Sequence, residues 1–303
     1  MPIRVLQHNL IGEFENMNPQ FLELAQRVIN GLGLYPGIGY DVEEERAKSP
    51  NVLFEQIRVQ EPFLSYVWCM CFSLSVLYSE SIVKQSINQH RKKKIRLNRP
   101  LARHAYMIWE YAMALLNDYY TWPDILPSPE RYPRQYRQLI PKINGLYVTA
   151  MKYVLAHEFA HIELQHTKAD IGDMDPTEAS ILQERQADAR AIELVLEGGN
   201  NKNTVTIRMG LLIGLCSILF TDSTAKKLSY PDTNERIDAI LQIITPDAQD
   251  AMWGVATLAY KLWDRHFDNK LKWIDGLESP EALYHNIREQ VEVLNARKSK
   301  GSN

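Results

Sequence analysis

Residues 157–166 read HEFAHIELQH. His157 and His161 are four residues apart, so on a helix both imidazoles project from one face. Glu158 lies one step round from the first, near enough to contact a water held by a metal between the rings. His166 is nine residues from His157 and leaves that face, which reads as a helix-end residue and not a ligand. The surrounding segment, LYVTAMKYVLAHEFAHIEL, is apolar on nearly every side. Two imidazoles and a carboxylate clustered in such a helix are costly to bury without a partner, and a divalent cation is one such partner.

A catalytic zinc takes a third protein ligand and leaves its fourth position to water. The stretch QERQADARA, residues 183–191, supplies Glu184 on a second predicted helix, with Asp188 four residues later on the same face. Asp188 is suited to accept the free N–H of a ligating histidine and fix its tautomer. Ala187 and Ala191 are small, so this helix can approach the first closely. Alone, Glu184 and Asp188 would read as a solvated charged face; following HEFAH at this separation, they favour the ligand reading. Zinc in such a set brings the pKa of water down to about 7. Glu158 would take the proton as that water attacks a peptide carbonyl, then deliver a proton to the leaving amine. Farther on, SYPDTNERI (residues 229–237) offers a phenol at Tyr230 and a guanidinium at Arg236 as donors to the oxyanion. A helix start and a salt bridge explain those residues equally well, and spacing does not choose between them.

Positioning this site requires a large core. The chain has 303 residues, 45% of them hydrophobic and 23% charged, with a formal net charge of −3. That is ordinary globular composition and predicts no global attraction to nucleic acid or anionic membrane. Cys69, Cys71 and Cys216 are odd in number, which speaks against a disulfide framework and for buried thiols in a reducing compartment. The N-terminal MPIRVLQHNLIGEFENMN lacks the apolar region of a signal peptide. Met209–Phe220, the most apolar stretch, is well short of the about 20 residues that span a bilayer and reads as a buried helix. The expectation is a cytoplasmic protein with no transmembrane segment.

Apolar spacing predicts helices over Asn18–Asn30, Glu61–Lys84 and about Leu101 to Asp118, the second of them buried on most sides. Glycines and prolines between Gly31 and Gly39 then punctuate the chain, and Asn51–Gln60 reads as a strand with Leu53, Ile57 and Val59 inward. His90–Pro100, HRKKKIRLNRP, carries six Arg or Lys residues with Arg103 just beyond, and without interleaved aromatics it reads as a solvated linker. YYTWPDILPSPERYP holds four prolines and must be irregular. Further helices are predicted near 142–167, 177–197, 204–221, 233–244, 247–267 and 279–297. The architecture expected is mainly α (α+β). Residues 1–125 would form an N-terminal helical and strand-bearing subdomain, and residues 126–303 a helical zincin-like metallopeptidase core.

HExxH followed by ExxAD resembles the gluzincin metallopeptidases. That resemblance implies His157, His161 and Glu184 as zinc ligands, Glu158 as general base and Asp188 as the partner of His157. SYPxxxxRI is similar to a segment of prenyl-protease-type gluzincins that has histidine where this chain has Tyr230. Closer still, the TWPDILPSPE loop, HEFAHIELQH, QERQADARA, GLLIGLCSILF and SYPDTNERI resemble, in consistent order over about 55–240, the Lit family of phage-exclusion peptidases. Lit proteins also carry tyrosine before that proline. The resemblance implies a dormant cytoplasmic zinc endopeptidase, switched on by a phage-derived peptide and cleaving host elongation factor Tu. Gluzincins also place a strand at the cleft edge to pair with substrate, for which Asn51–Gln60 is the candidate. Two other readings stand beside this one: a zinc-stabilised binding or sensor protein that does not cut, and a nucleic-acid contact through the basic run.

Overall fold

The computed structural model describes residues 1–32, 38–42, 44–53, 56–80, 99–166, 174–197, 204–221, 232–274 and 277–300. It is mainly helical with one small sheet near the N-terminus, the fold class expected. A 3-10 turn over Pro2–Leu6 leads into α1 (Gln7–Glu15), and α2 covers Phe21–Leu32. The sequence pattern assigned nothing to the first two. Their apolar residues are few, and they are held by burying Ile3, Leu6, Leu10 and Phe14 in the common core.

In the sheet, β1 (Ile38–Asp41) runs parallel to the central β3 (Gln56–Gln60), while β2 (Asn51–Leu53) pairs with it antiparallel. The single strand expected over Asn51–Gln60 is therefore two strands, and one inward assignment is corrected. Val52 pairs with Ile57 and Leu53 with Gln56. Cross-strand partners share a face, so the reversal puts Val52 with Ile57 and turns Leu53 outward at 49% exposed. Ile57 and Val59 are buried as expected.

Helix α3 (Glu61–Tyr78) follows at once, with Pro62 in its first turn and nearly every side chain buried. Arg4 donates twice to the buried carboxylate of Glu61, at 2.6 and 3.0 Å, tying the N-terminal turn to the start of α3. Residues 81–84 of the predicted helix, and 91–98 of the basic run, lie outside the described residues; Arg99 donates to Glu80. After α4 (Pro100–Asn117) the proline-rich segment is irregular as expected, and it leads to α5 (Ile140–Glu163). Then come α6 (Pro176–Glu197), α7 (Thr204–Ile218), α8 (Thr233–Ile244), α9 (Ala251–Phe267) and α10 (Pro280–Lys300). The start of α9 is four residues later than predicted, because Asp250 caps it by accepting from the Met252 N–H at 2.8 Å.

Helix α5 lies at the centre, packed against α6, α7, α3 and α1. Close approach of α7 depends on Gly210 and Gly214. A Cβ at 210 would lie 2.6 Å from Thr149 Cβ, and one at 214 would lie 3.2 Å from the Ala150 carbonyl oxygen. On the other side α6 presents Ala187 and Ala191, both fully buried. One hydrophobic cluster runs from Ile3 to Val291, so the portions before and after residue 125 share a core. All three cysteines are buried free thiols, and among the described residues no helix is long and apolar enough to cross a membrane.

Candidate metal centre

Both helices that carry the site place their polar side chains by four-residue spacing on an otherwise apolar face. On α5, Tyr153, His157 and His161 form a ladder, and on α6 Glu184 and Asp188 stand opposite it. Two ion pairs fix the helices around this ladder. Arg190 of α6 makes a two-pronged contact with Glu163 at the end of α5, each bond 2.9 Å. Arg185 reaches Glu235 of α8 at 2.7 Å, on the exposed side.

Within the frame, His157 Nε2 lies 3.2 Å from His161 Nε2 and 3.2 Å from Glu184 Oε2. His161 Nε2 lies 3.3 Å from Glu184 Oε1. These residues form a group able to hold a metal ion. Their fit to zinc can be tested on the distances. A tetrahedral site with bonds of about 2.0–2.1 Å has ligand-to-ligand edges of about 3.3–3.4 Å; the two Nε2 atoms stand 3.2 Å apart, and each has a Glu184 oxygen close by, Oε2 at 3.2 Å from His157 and Oε1 at 3.3 Å from His161. Two imidazoles and one carboxylate also match the donor set that zinc prefers. The residues present fit the group.

Around these three residues is a layer that holds them. Asp188 Oδ1 lies 2.9 Å from His157 Nδ1; the approach is oblique, and Nδ1 has no well-aligned hydrogen bond. The same carboxylate accepts from Tyr153 Oη at 2.6 Å, and from Arg236 Nε and Nη2 at 2.6 and 2.7 Å. Arg236, from the first turns of α8, is itself buried. Of the two roles its sequence context left open, the geometry displays the salt bridge. Tyr230 and Pro231 lie outside the described residues.

Electrostatics follow from burial opposed by neighbours. Burial alone would lower the His157 pKa, but Asp188 and Glu184 outweigh it and raise the imidazole to about 9. Burial pushes Glu184 up, and hydrogen bonds from His157 and His161 bring it down to about 2. Asp188 is likewise pushed up by burial and pulled well below the carboxylate range by Arg236 and His157. Glu158 differs: burial raises it to about 7 despite His157, with Glu184 adding to the rise. Without a cation the site therefore holds a protonated His157 between two carboxylates, beside a carboxyl poised near neutrality.

Three participants escaped the sequence reading. Tyr153 stands one turn before His157, and a tyrosine at that spacing was the available signal. His166 lies past the end of α5 and is not among the three grouped residues, but its Nδ1 is 2.9 Å from His161 Nδ1 and its Nε2 is 3.1 Å from Gln186 Oε1. Burial, then His161, lowers the His166 pKa. No sequence period brings Gln186 to it. Both strands of the Asn51–Gln60 segment, β2 and β3, pack against α5, the helix that carries His157 and His161.

The chain matches no curated protein and no solved structure. Residues 57–256, about two thirds of its length, match the Peptidase U49 family, and because that span contains every element of the centre from α5 to α8, the chain belongs to this family and is a peptidase.

Proposed function

We propose that this peptidase is a zinc-dependent endopeptidase of gluzincin type, with His157, His161 and Glu184 as ligands. The observation that carries the reading is the convergence of the two Nε2 atoms, 3.2 Å apart, on the Glu184 carboxylate, whose two oxygens lie 3.2 and 3.3 Å from them. Bound there, zinc would supply Lewis acidity, lowering the pKa of water and polarising the scissile carbonyl.

The remaining work falls to the chain. Glu158 accepts the proton of the attacking water and returns a proton to the leaving amine; a carboxyl raised by burial to about 7 suits both transfers near neutral pH. Asp188 holds the His157 ring, and Arg236 acts through Asp188, keeping that carboxylate ionised. Tyr230 remains the donor to the oxyanion that the family resemblance implies. That resemblance also supports a cytoplasmic enzyme, dormant until a phage-derived peptide or protein triggers it, with elongation factor Tu as the substrate and abortive defence as the outcome.

The test is a map of new protein N-termini in phage-infected bacteria carrying either the intact protein or Glu158→Gln. One dominant new terminus, present only with the intact protein, is expected, and its sequence names the substrate. Identical maps, with infection blocked by both proteins, would replace this reading with that of a zinc-stabilised sensor that does not cut.

A further inference from the structure

The end of α5 is built in an unusual way. The His166 N–H donates to the His161 carbonyl at 2.9 Å and the Gln165 N–H to the Ile162 carbonyl at 3.0 Å, the paired bonds of a Schellman turn. Glycine is the usual residue at the left-handed position of that turn, yet here Gln165 occupies it with φ 55°. This reversal folds the His166 side chain back over the helix it has just left. The rings of His161 and His166 stand 5.0 Å apart at 74°. Helix α6 secures the arrangement from the other side: Gln186 Oε1 meets His166 Nε2, and Gln183 Nε2 donates to the His166 carbonyl at 3.4 Å.

Proton positions in this chain are determined from the ligand end. For His161 to present a lone pair at Nε2, its ring proton must sit on Nδ1. That Nδ1–H points at His166 Nδ1, which must then accept. The His166 proton is consequently on Nε2, where Gln186 Oε1 accepts it. Every donor in the row faces an acceptor. The opposite tautomer of His166 would set two N–H groups against each other at 2.9 Å. His157 and His161 are thus oriented by different means, the first by the Asp188 carboxylate and the second by a neutral imidazole.

We propose that His166 is a positioning residue for the metal centre: its Nδ1 accepts the Nδ1–H of His161 and holds the Nε2 lone pair of that ligand toward the metal position between His157 and Glu184. This inference rests on the metal-site reading above. His166 touches neither the reacting atoms nor the atoms that would hold the metal; it meets His161 at Nδ1, away from Nε2.

The test compares the intact protein with His166→Leu and His166→Asn, measuring zinc affinity by chelator competition and the solvent exchange of the His161 Nδ1–H by NMR of the zinc-loaded protein. Asparagine places its Oδ1 where Nδ1 of histidine lies, so it restores an acceptor that leucine cannot. His166→Leu is expected to weaken zinc binding by about 10–100-fold and to leave the His161 Nδ1–H in fast exchange with solvent. His166→Asn is expected to recover most of the affinity and the protection of that Nδ1–H. His166 is only part-buried, and thermal unfolding of the zinc-free variants checks that both remain folded. Equal zinc affinity for His166→Leu and the intact protein overturns the inference alone, as does a His166→Asn variant no better than leucine. If the intact protein does not bind zinc at all, the metal-site reading falls and this inference with it.

Discussion

Replacing Arg236 by methionine would remove the cation from a carboxylate that is 6% exposed and accepts two hydrogen bonds from it, at 2.6 and 2.7 Å. Asp188 would stay charged, with Tyr153 and the protonated but obliquely placed His157 beside it, which sets the cost at the lower end of the range for a stranded charge. Stranding one member of a buried ion pair costs about 3–5 kcal/mol. Asp188→Asn strands the guanidinium of Arg236 instead, at a cost of the same order, about 3–5 kcal/mol. The double variant strands neither charge, and Tyr153 can still donate to the asparagine oxygen. Independent effects would sum to roughly 6–10 kcal/mol; the double variant should fall about 3 kcal/mol or more short of that sum. Denaturant unfolding of the zinc-free proteins, followed by circular dichroism, measures all four corners of the cycle. A double variant that folds where either single variant does not would give coupling of the same sign. Additivity within about 0.5 kcal/mol would refute the reasoning. Arg236 would then act independently of Asp188, and its place at the oxyanion would become the better assignment.

The pKa shifts fix two opposed pH dependences. His157 in the zinc-free protein is raised from 6.5 to about 9, so its stabilising contribution is complete below about 6.5 and is lost as pH rises through 9. The melting temperature of chelator-treated protein should therefore fall over that window, while zinc affinity, which requires the proton to leave, should rise by up to about tenfold per pH unit below 9. Calorimetry in buffers of different ionisation enthalpy should detect that released proton, and a zinc affinity flat from pH 6.5 to 9 would contradict the assignment. Gly210→Ala sets a Cβ 2.6 Å from Thr149 Cβ. Forcing α7 off α5 should cost about 1–3 kcal/mol, measured as a lowered midpoint of denaturant unfolding; an unchanged midpoint would show that the two helices separate freely.

The residues able to hold a metal were legible because their signals are local. Histidines four apart on a helix share a face whatever the rest of the chain does, and the same holds for Glu184 and Asp188. Helix positions in the second half were legible for the same reason, since 3.6-residue periodicity is a short-range property. Where a boundary depended on a cap, as at Asp250, or on a reversal, as between β2 and β3, periodicity alone misplaced it.

What the sequence by itself determined, then, was the chemistry available: two imidazoles, a carboxylate as third donor and the Glu158 carboxyl beside them, carried on helices with apolar faces. Tertiary structure decided how those groups are held. Arg236 is 48 residues from Asp188, and nothing in its own context chose between an oxyanion donor and a buried ion pair. His166 lay off the ligand face by helical spacing, and only the left-handed Gln165 returns it to His161. Gln186 meets it because Ala187 and Ala191 let α6 approach α5. A side chain's type and its neighbours on one helix follow from covalent geometry. Its partners across helices follow from which backbones can come close, and that depends on the packing of the whole core.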